Sequence, residues 1–463
     1  MAPLAGLLVA KGERVLGSDL PLYPPMSDRI ASLGIAVRPG FRAENVPEGV
    51  DRVVVGNLAA KDNPELLASF ARSLPVASMP ETLHDEFLAA RHPVVVTGTH
   101  GKTTTTALAS WLLAAAGREP GFLIGGEPRN FEGPYALGRG PAFVVEGDEY
   151  STSYADKGPK FLHYAPRTLV VTSVEFDHAD LYPDLEAIKD AFRRVVALVP
   201  EDGLVVANGE DPNVVEVVAA SKARVVFYRV LGPGDEAPGD GLAARVLARG
   251  AAGVEMEVLE EGRPLFRAVS PLSGRHNVAN ALAAIGVCRG FGVAGAELAD
   301  ALPRFLGVKR RMEPRGEAGG VLVLDDFAHH PTAVATTVEG ARHAYPGRRL
   351  WAVFEPRSIT GGRADFAEAY AAALRVCDGA VLARPYHAER LARNGAGALD
   401  VDALARTLGE AGVEAFAAAD ADAIVAELAP RLRAGDVVLA MSSGAFGGIH
   451  GKLLHALGNR SSR

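Results

Sequence analysis

Short β-branched apolar runs alternate along most of this chain with longer segments of helical period, the pattern that builds a parallel sheet with helices on its faces. Runs at 94–96, 142–145, 169–172 and 204–207, with helices such as 185–198 between them, predict a middle unit that starts at Pro93. A further set at 321–324, 350–354, 379–382 and 437–440 predicts another, beginning near Arg311. Ahead of both, a smaller α/β unit is expected, with a short strand over 14–16 running into Gly17-Ser18-Asp19, a second over 52–55, and Pro-rich punctuation between them. A polar, Gly-rich patch at 232–241 leads into sequence that reads as irregular and β-flavoured up to Val269. The pattern therefore predicts three domains, over 1–92, 93–310 and 311–463. Open parallel sheets bind ligands beyond the carboxyl ends of their strands, so chemistry is sought where these runs stop.

With 463 residues the chain exceeds what one ordinary core supports. Its 48 basic and 56 acidic residues give a net charge of −8, which argues against nucleic acid or an anionic membrane as partner. The two cysteines, Cys288 and Cys377, sit in apolar helix-like segments without metal-ligand spacing and are expected to be small buried hydrophobes. No apolar run approaches 18 residues and no basic-then-apolar leader opens the sequence. A soluble cytoplasmic protein is the expectation.

The run Val94-Val95-Val96 ends in Thr97-Gly98-Thr99-His100-Gly101-Lys102-Thr103-Thr104, followed by a helix-like segment at 107–116. Two glycines allow a tight turn that points N–H groups inward, and the helix N-terminus adds about half a positive charge. Lys102 is placed to neutralise phosphate oxygens, and the Thr103 hydroxyl to hold Mg²⁺. Val96 occupies the position where the usual phosphate loop has its first glycine, leaving the shorter Gly-x-x-Gly-Lys-Thr form.

Two later runs end in acids and histidine: Glu146-Gly147-Asp148-Glu149, and Ser173-Val174-Glu175-Phe176-Asp177-His178. In a parallel sheet these open on the edge that carries Lys102 and Thr103, so Glu146 and His178 are candidates to complete a Mg²⁺ site; each could equally be a loop start. In Gly274-Arg275-His276-Asn277-Val278-Ala279-Asn280, the amides of Asn277 and Asn280 share a helical face and suit a purine edge, although Asn is also a common helix cap. The cluster Lys309-Arg310-Arg311 reads either as solvated surface or as a hinge cation that reaches a γ-phosphate on closure. Beyond it, Asp325-Asp326-Phe327-Ala328-His329-His330-Pro331 ends an apolar run, with Asp325 suited to a ribose diol or a metal and the histidines to a substrate. Arg357, in Glu355-Pro356-Arg357-Ser358, suits a carboxylate. Gly448-Ile449-His450-Gly451-Lys452 echoes the first loop, but Leu453 replaces the hydroxyl, so it reads as a structural or substrate-facing loop.

Together these residues resemble the Mur ligase family, ATP-dependent amide-forming enzymes of peptidoglycan assembly, and the resemblance spans essentially the whole chain. It implies an α/β fold of three domains: a Rossmann-like N-terminal domain, a central P-loop-type ATPase domain and a Rossmann-like C-terminal domain. Residues 97–104 resemble the family's ATP loop and Glu146 with His178 its metal-binding pair. Residues 276–280 resemble its adenine motif, Arg311 its hinge arginine and Asp325 its ribose-binding acid. Lys102, Glu146, His178 and Arg311 become the implied catalytic set, with ATP and Mg²⁺ as cofactors. Tyr23-Pro24-Pro25-Met26-Ser27, Gly121-Phe122-Leu123-Ile124-Gly125-Gly126, Glu175-Phe176-Asp177-His178-Ala179-Asp180, Glu355-Pro356-Arg357-Ser358 and Gly447-Gly448-Ile449-His450 are similar to one branch in particular. That branch recycles cell wall by joining the tripeptide L-alanyl-γ-D-glutamyl-meso-diaminopimelate to UDP-N-acetylmuramate. A sister branch adds single L-alanine and usually has Tyr-Gly where this chain has Phe327-Ala328.

The resemblance implies acyl-phosphate formation on the lactyl carboxylate, then attack by the tripeptide amine, with His329 and Arg357 orienting the peptide. Asp19 is expected to reach the uridine side. Four departures stand out. Met1 falls just past the branch's opening strand and Gly-rich turn, so a truncated N-terminal domain is expected. Ser173 replaces a usual Asn, and Ser151 a usual Asp. Ile359 and Gly361-Gly362 alter the segment after Arg357. Two rival readings are the alanine-adding ligase and a nucleotide-gated binding protein without ligase activity.

Overall fold

The computed structural model describes residues 1–22, 26–57, 59–250, 252–393 and 397–460. Tyr23-Pro24-Pro25 of the branch-like phrase lie outside the described residues; the helix Met26–Ser32 follows them.

The middle of the molecule is a ten-stranded sheet. Its heart is four parallel strands side by side, Thr168–Val171, His92–Thr97, Ala142–Glu146 and Gly121–Leu123. Val94, Val95, Val96, Val144, Val145, Val170 and Val171 are all fully buried, as strands covered on both faces require. One face packs against the helices Lys102–Ala115 and Arg275–Gly290, the other against Leu185–Ala197. Leu204–Asn208, Arg224–Leu231 and Leu242–Gly250 extend the sheet in parallel. Gly253–Glu260 and Arg263–Ser270 then finish it as antiparallel strands. The stretch expected to be irregular is thus a regular ladder. Register shifts at Val246/Ala248 and Val258/Leu259 interrupt its alternation of apolar and polar residues, which hides the strands from a period-two reading.

Six strands form the last sheet, in the order Glu313–Ala318, Val321–Asp326, Val437–Met441, Leu350–Phe354, Gly379–Ala383, Glu414–Ala418. All are parallel except the first pair. The glycine-bearing segment expected to be a loop at 448–452 instead opens a helix, Ile449–Arg460. Gly447 and Gly448, at φ of 56° and 71°, make the turn into it, and Lys452 pairs with Asp422 at 2.7 Å.

At the front of the chain, the helix Ala2–Lys11 precedes two separate two-stranded parallel sheets, Leu16–Asp19 with Ala36–Pro39 and Val53–Val55 with Val76–Ser78. The first strand begins at Leu16, where the sequence reading had it ending, because the helix runs to Lys11 and delays the extended segment. Among the described residues no helix is long and apolar enough to cross a membrane. Cys288 and Cys377 are both buried free thiols, pushed up in pKa by burial.

Candidate active site

The phosphate loop fills the gap between the strand His92–Thr97 and the helix Lys102–Ala115. Gly98 (φ 131°) and Gly101 (φ 81°) adopt backbone conformations that side chains resist. A β-carbon on Gly98 would lie 2.0 Å from Thr172 Oγ1, and one on Gly101 2.4 Å from Asn280 Oδ1. The loop is clasped to the neighbouring strand end: Thr99 N–H donates to Ser173 O (2.9 Å), His100 N–H to Ser173 Oγ (3.0 Å), and Glu175 N–H to Thr99 Oγ1 (2.9 Å). Ser173, the departure from the family's Asn, is therefore an acceptor for the loop backbone.

Thr103 Oγ1 donates to Glu146 Oε1 at 2.9 Å, and Gly125 N–H donates to Glu146 Oε2 at 2.8 Å. Gly125 and Gly126 are small because the chain passes against these groups: β-carbons there would come 2.6 Å from Glu146 Oε2 and 2.8 Å from Thr103 Cγ2. Burial and the adjacent Asp148 push the Glu146 carboxyl upward in pKa, against the pull of Lys102. A dication would relieve that repulsion, so the hydroxyl, the carboxylate and the acidic surroundings fit Mg²⁺.

Lys102 Nζ donates to Gly98 O (2.6 Å) and to both oxygens of Glu149 (3.0 and 2.8 Å). The other partner of Glu149 is His178, whose Nε2 lies 2.8 Å from Oε1. Burial alone would raise the Glu149 carboxyl, but Lys102 and His178 hold it at about 2. Burial lowers the His178 imidazole, but the hydrogen bond and charge of Glu149, together with the charge of Asp177, outweigh that and raise it. His178 itself sits at φ 54°, a left-handed conformation costly for a residue with a side chain. Glu149 is the site residue that sequence reading passed over. It ends the same acidic run as Glu146, and its spacing alone gave no reason to tie it to a lysine 47 positions away.

Arg311 arrives from the connection between the central and last sheets and brings Nη2 to 3.5 Å from Thr103 Oγ1. Arg310 and Met312 on either side have φ of 60° and 49°, so this connection is wound left-handed around the arginine. Thr103, Glu146 and Arg311 thus meet at the loop, whereas His178 is engaged by Glu149. Thr104 is buried on the first turn of the same helix.

Asn280 is occupied internally: its Oδ1 accepts from Thr105 Oγ1 (3.2 Å) and its Nδ2 donates to Asn277 Oδ1 (3.1 Å), while Asn277 Nδ2 donates to Ser273 O (2.7 Å). In this arrangement Asn280 props the phosphate loop from below. Asp325 is buried within ion-pair reach of His450 (3.3 Å), Arg310 (3.6 Å) and Arg315 (3.9 Å). Burial would raise its carboxyl, but the His450 imidazole and the two arginines outweigh that. His329 is half-buried, and the loss of solvent depresses its imidazole; Nδ1 faces Phe327 O at 3.0 Å and its carbonyl accepts from Tyr370 Oη at 2.8 Å. Arg357 lies over the Tyr386 ring at 4.0 Å and 3.5 Å from Glu355. Asp19, at the end of its strand in the N-terminal unit, accepts from Leu20 N–H at 2.7 Å. Ser151, the other site of departure, has a buried hydroxyl without a partner among the described residues.

The last domain closes over this edge of the central one. Thr332 Oγ1 donates to Glu175 Oε2 (2.6 Å), Ala179 N–H donates to Thr360 Oγ1 (3.1 Å), and the His100 and His330 rings are 5.0 Å apart.

Comparison with known proteins agrees with this architecture. Family models match residues 1–91 as Mur ligase family, catalytic domain, 96–288 as Mur ligase middle domain, and 310–444 as Mur ligase, glutamate ligase domain. The chain is 38% identical over 466 residues to UDP-N-acetylmuramate–L-alanyl-γ-D-glutamyl-meso-2,6-diaminoheptandioate ligase of Escherichia coli K12, covering 100% of this chain and 96% of the relative. It is also 38% identical over 461 residues to UDP-N-acetylmuramate–L-alanine ligase of Burkholderia thailandensis, covering 98% and 95%. The crystal structure of a murein peptide ligase from Psychrobacter arcticus superposes with a TM-score of 0.71 at 32% identity, over 99% of this chain and 96% of that one. With all three family models and full-length relatives in agreement, the chain belongs to the Mur ligase family of ATP-dependent, amide-forming ligases.

Proposed function

We propose that this ligase joins UDP-N-acetylmuramate to the tripeptide L-alanyl-γ-D-glutamyl-meso-diaminopimelate, as the name of its E. coli relative describes, in peptidoglycan recycling. The domains that serve this are taken as 1–92 for the UDP-linked sugar, 93–310 for ATP and 311–463 for the peptide. The observation that carries the reading is the meeting of Arg311, from the hinge, with Thr103, on the phosphate loop, beside the Glu146 carboxylate.

A carboxylate does not acylate an amine near neutral pH, because an oxide dianion is not expelled. Transfer of the γ-phosphoryl group of ATP to the lactyl carboxylate releases ADP and leaves an acyl phosphate. The tripeptide amine then attacks the acyl carbon, loses its proton, and phosphate departs. Mg²⁺, held by Thr103, Glu146 and His178, would supply charge neutralisation for the phosphate oxygens. The phosphate-loop N–H groups and Lys102 bind the same oxygens, and Glu149 keeps Lys102 and His178 in one register. Arg311 adds positive charge from the side of the last domain. His329, its imidazole lowered in pKa by partial burial, and Arg357 orient the peptide. Asn277 and Asn280 are assigned to the adenine, Asp325 to the ribose and Asp19 to the uridine. Contacts between the last domain and the 175–179 segment exclude water that would hydrolyse the acyl phosphate.

A second reading, ligation of single L-alanine, is favoured by the equal identity to the Burkholderia protein. Competing the two acceptors in a coupled ADP-release assay with UDP-N-acetylmuramate separates them. The tripeptide is expected to have the higher kcat/KM by at least about tenfold; preference for alanine would replace the first reading with the second.

A further inference from the structure

We propose that His100, Glu175 and His330 form a site for a transition-metal dication of the zinc or cobalt class, assembled where the last domain meets the phosphate loop. It is distinct from the oxygen-rich Mg²⁺ position at Thr103 and Glu146. The three residues come from three segments: the phosphate loop, the extension after the strand Thr168–Val171, and the residue that precedes the helix Pro331–Ala344. His100 Nε2 is 3.6 Å and His330 Nδ1 3.7 Å from Glu175 Oε2, and one ligand atom from each residue lies within 4.8 Å of the others. Tetrahedral zinc with bonds of about 2.0–2.2 Å sets its ligands about 3.4 Å apart, so a small inward movement completes three corners. The fourth stays open.

The polar atoms at this point lack partners. Both ring nitrogens of His330, only 5% exposed, and His100 Nε2 are buried without a hydrogen bond. Leaving such atoms unmet is costly, and a metal ion would bond His100 Nε2 and one ring nitrogen of His330. The charge balance agrees. Glu175, within ion-pair reach of both imidazoles, supplies the anionic ligand. Burial depresses His330 to about 4, which leaves its lone pair free at neutral pH. Two imidazoles and one carboxylate are a ligand set that zinc and cobalt take in preference to magnesium. Thr332 Oγ1, donating to Glu175 Oε2, fixes the carboxylate from the last domain in the way outer hydrogen bonds orient metal ligands.

Because His100 and Glu175 belong to the central domain and His330 to the last, bound metal and domain closure stabilise one another. Excess zinc is therefore expected to slow product release.

The test is a Co²⁺ titration of the full chain in excess Mg²⁺, followed by visible absorption. One equivalent is expected to give the bands of low-coordinate cobalt bound through imidazole. His330→Gln is expected to weaken that binding about tenfold or more. His330→Cys is expected to retain it and add a thiolate-to-cobalt charge-transfer band, which the wild-type chain, with its cysteines buried elsewhere, does not give. Absence of bands in the wild type, unchanged affinity in His330→Gln, or no sulfur band in His330→Cys would overturn the proposal. The last measurement reads the metal contact directly, so it stands even if the glutamine variant is poorly folded.

Discussion

The central and last sheets both end their parallel strands at the seam, yet the two sides are built differently. On the central side, hydrogen bonds of 2.8–3.0 Å lock two adjoining sets, Lys102 with Glu149 and His178, and Thr103 with Glu146. On the other side, Arg357 rests on the ring of Tyr386, a residue 59% exposed, and its carboxylate partner is 3.5 Å away. Phosphoryl transfer depends on charges fixed before the reaction, whereas recognition of a long peptide can rely on a cation that moves to meet it. On the proposed function the difference would separate a turnover side from a recognition side, and substitutions should divide the same way.

Lys102→Ala should test that division most severely. It removes the cation of the phosphate loop and leaves Glu149 buried without its main counter-charge, so kcat for ligation is expected to fall about a thousandfold. Measuring ADP, phosphate and amide product together checks it, and near-normal ligation would refute the central side as the turnover side. Glu149→Gln comes next, with an expected loss of about 10–100-fold in kcat. In that variant only Asp177 still opposes the effect of burial on His178, so its pKa should drop, as imidazole NMR of the metal-free protein can show. The linkage has a definite sign. Stability drawn from the protonated His178 and Glu149 pair is fully present below the unfolded-state pKa of about 6.5 and is lost as pH rises through the elevated folded value. Glu149→Gln should flatten that part of the stability profile. Arg357→Ala should act least on the chemistry, raising KM for the tripeptide about tenfold with kcat and the KM for ATP nearly unchanged. A large loss of kcat there would erase the contrast between the two sides.

The central side was also the more legible in the sequence. A Gly-rich loop between a β-branched run and a helix has few other uses, and apolar runs that end in acids placed Glu146 and His178 on the same edge. Strands at 350–354, 379–383 and 437–441 were visible because buried parallel strands read as unbroken apolar runs. What stayed hidden was pairing across long separations. Nothing local ties Glu149 to Lys102, or His330 to His100 and Glu175, since those meetings depend on which strands are neighbours and on how the last domain docks. The antiparallel strands at 242–270 were obscured by their register shifts, and the helix at Ile449–Arg460 by the two glycines that introduce it.

The clasp between residues 97–100 and 172–175 makes the phosphate receptor and the imidazole-bearing strand end a single moving part. Nucleotide that nudges the first must carry the second along, and with it Glu175, the point at which Thr332 of the last domain holds on. On the proposed function, arrival of ATP would be communicated to the peptide side through main-chain amides and hydroxyls, without any helix having to rearrange.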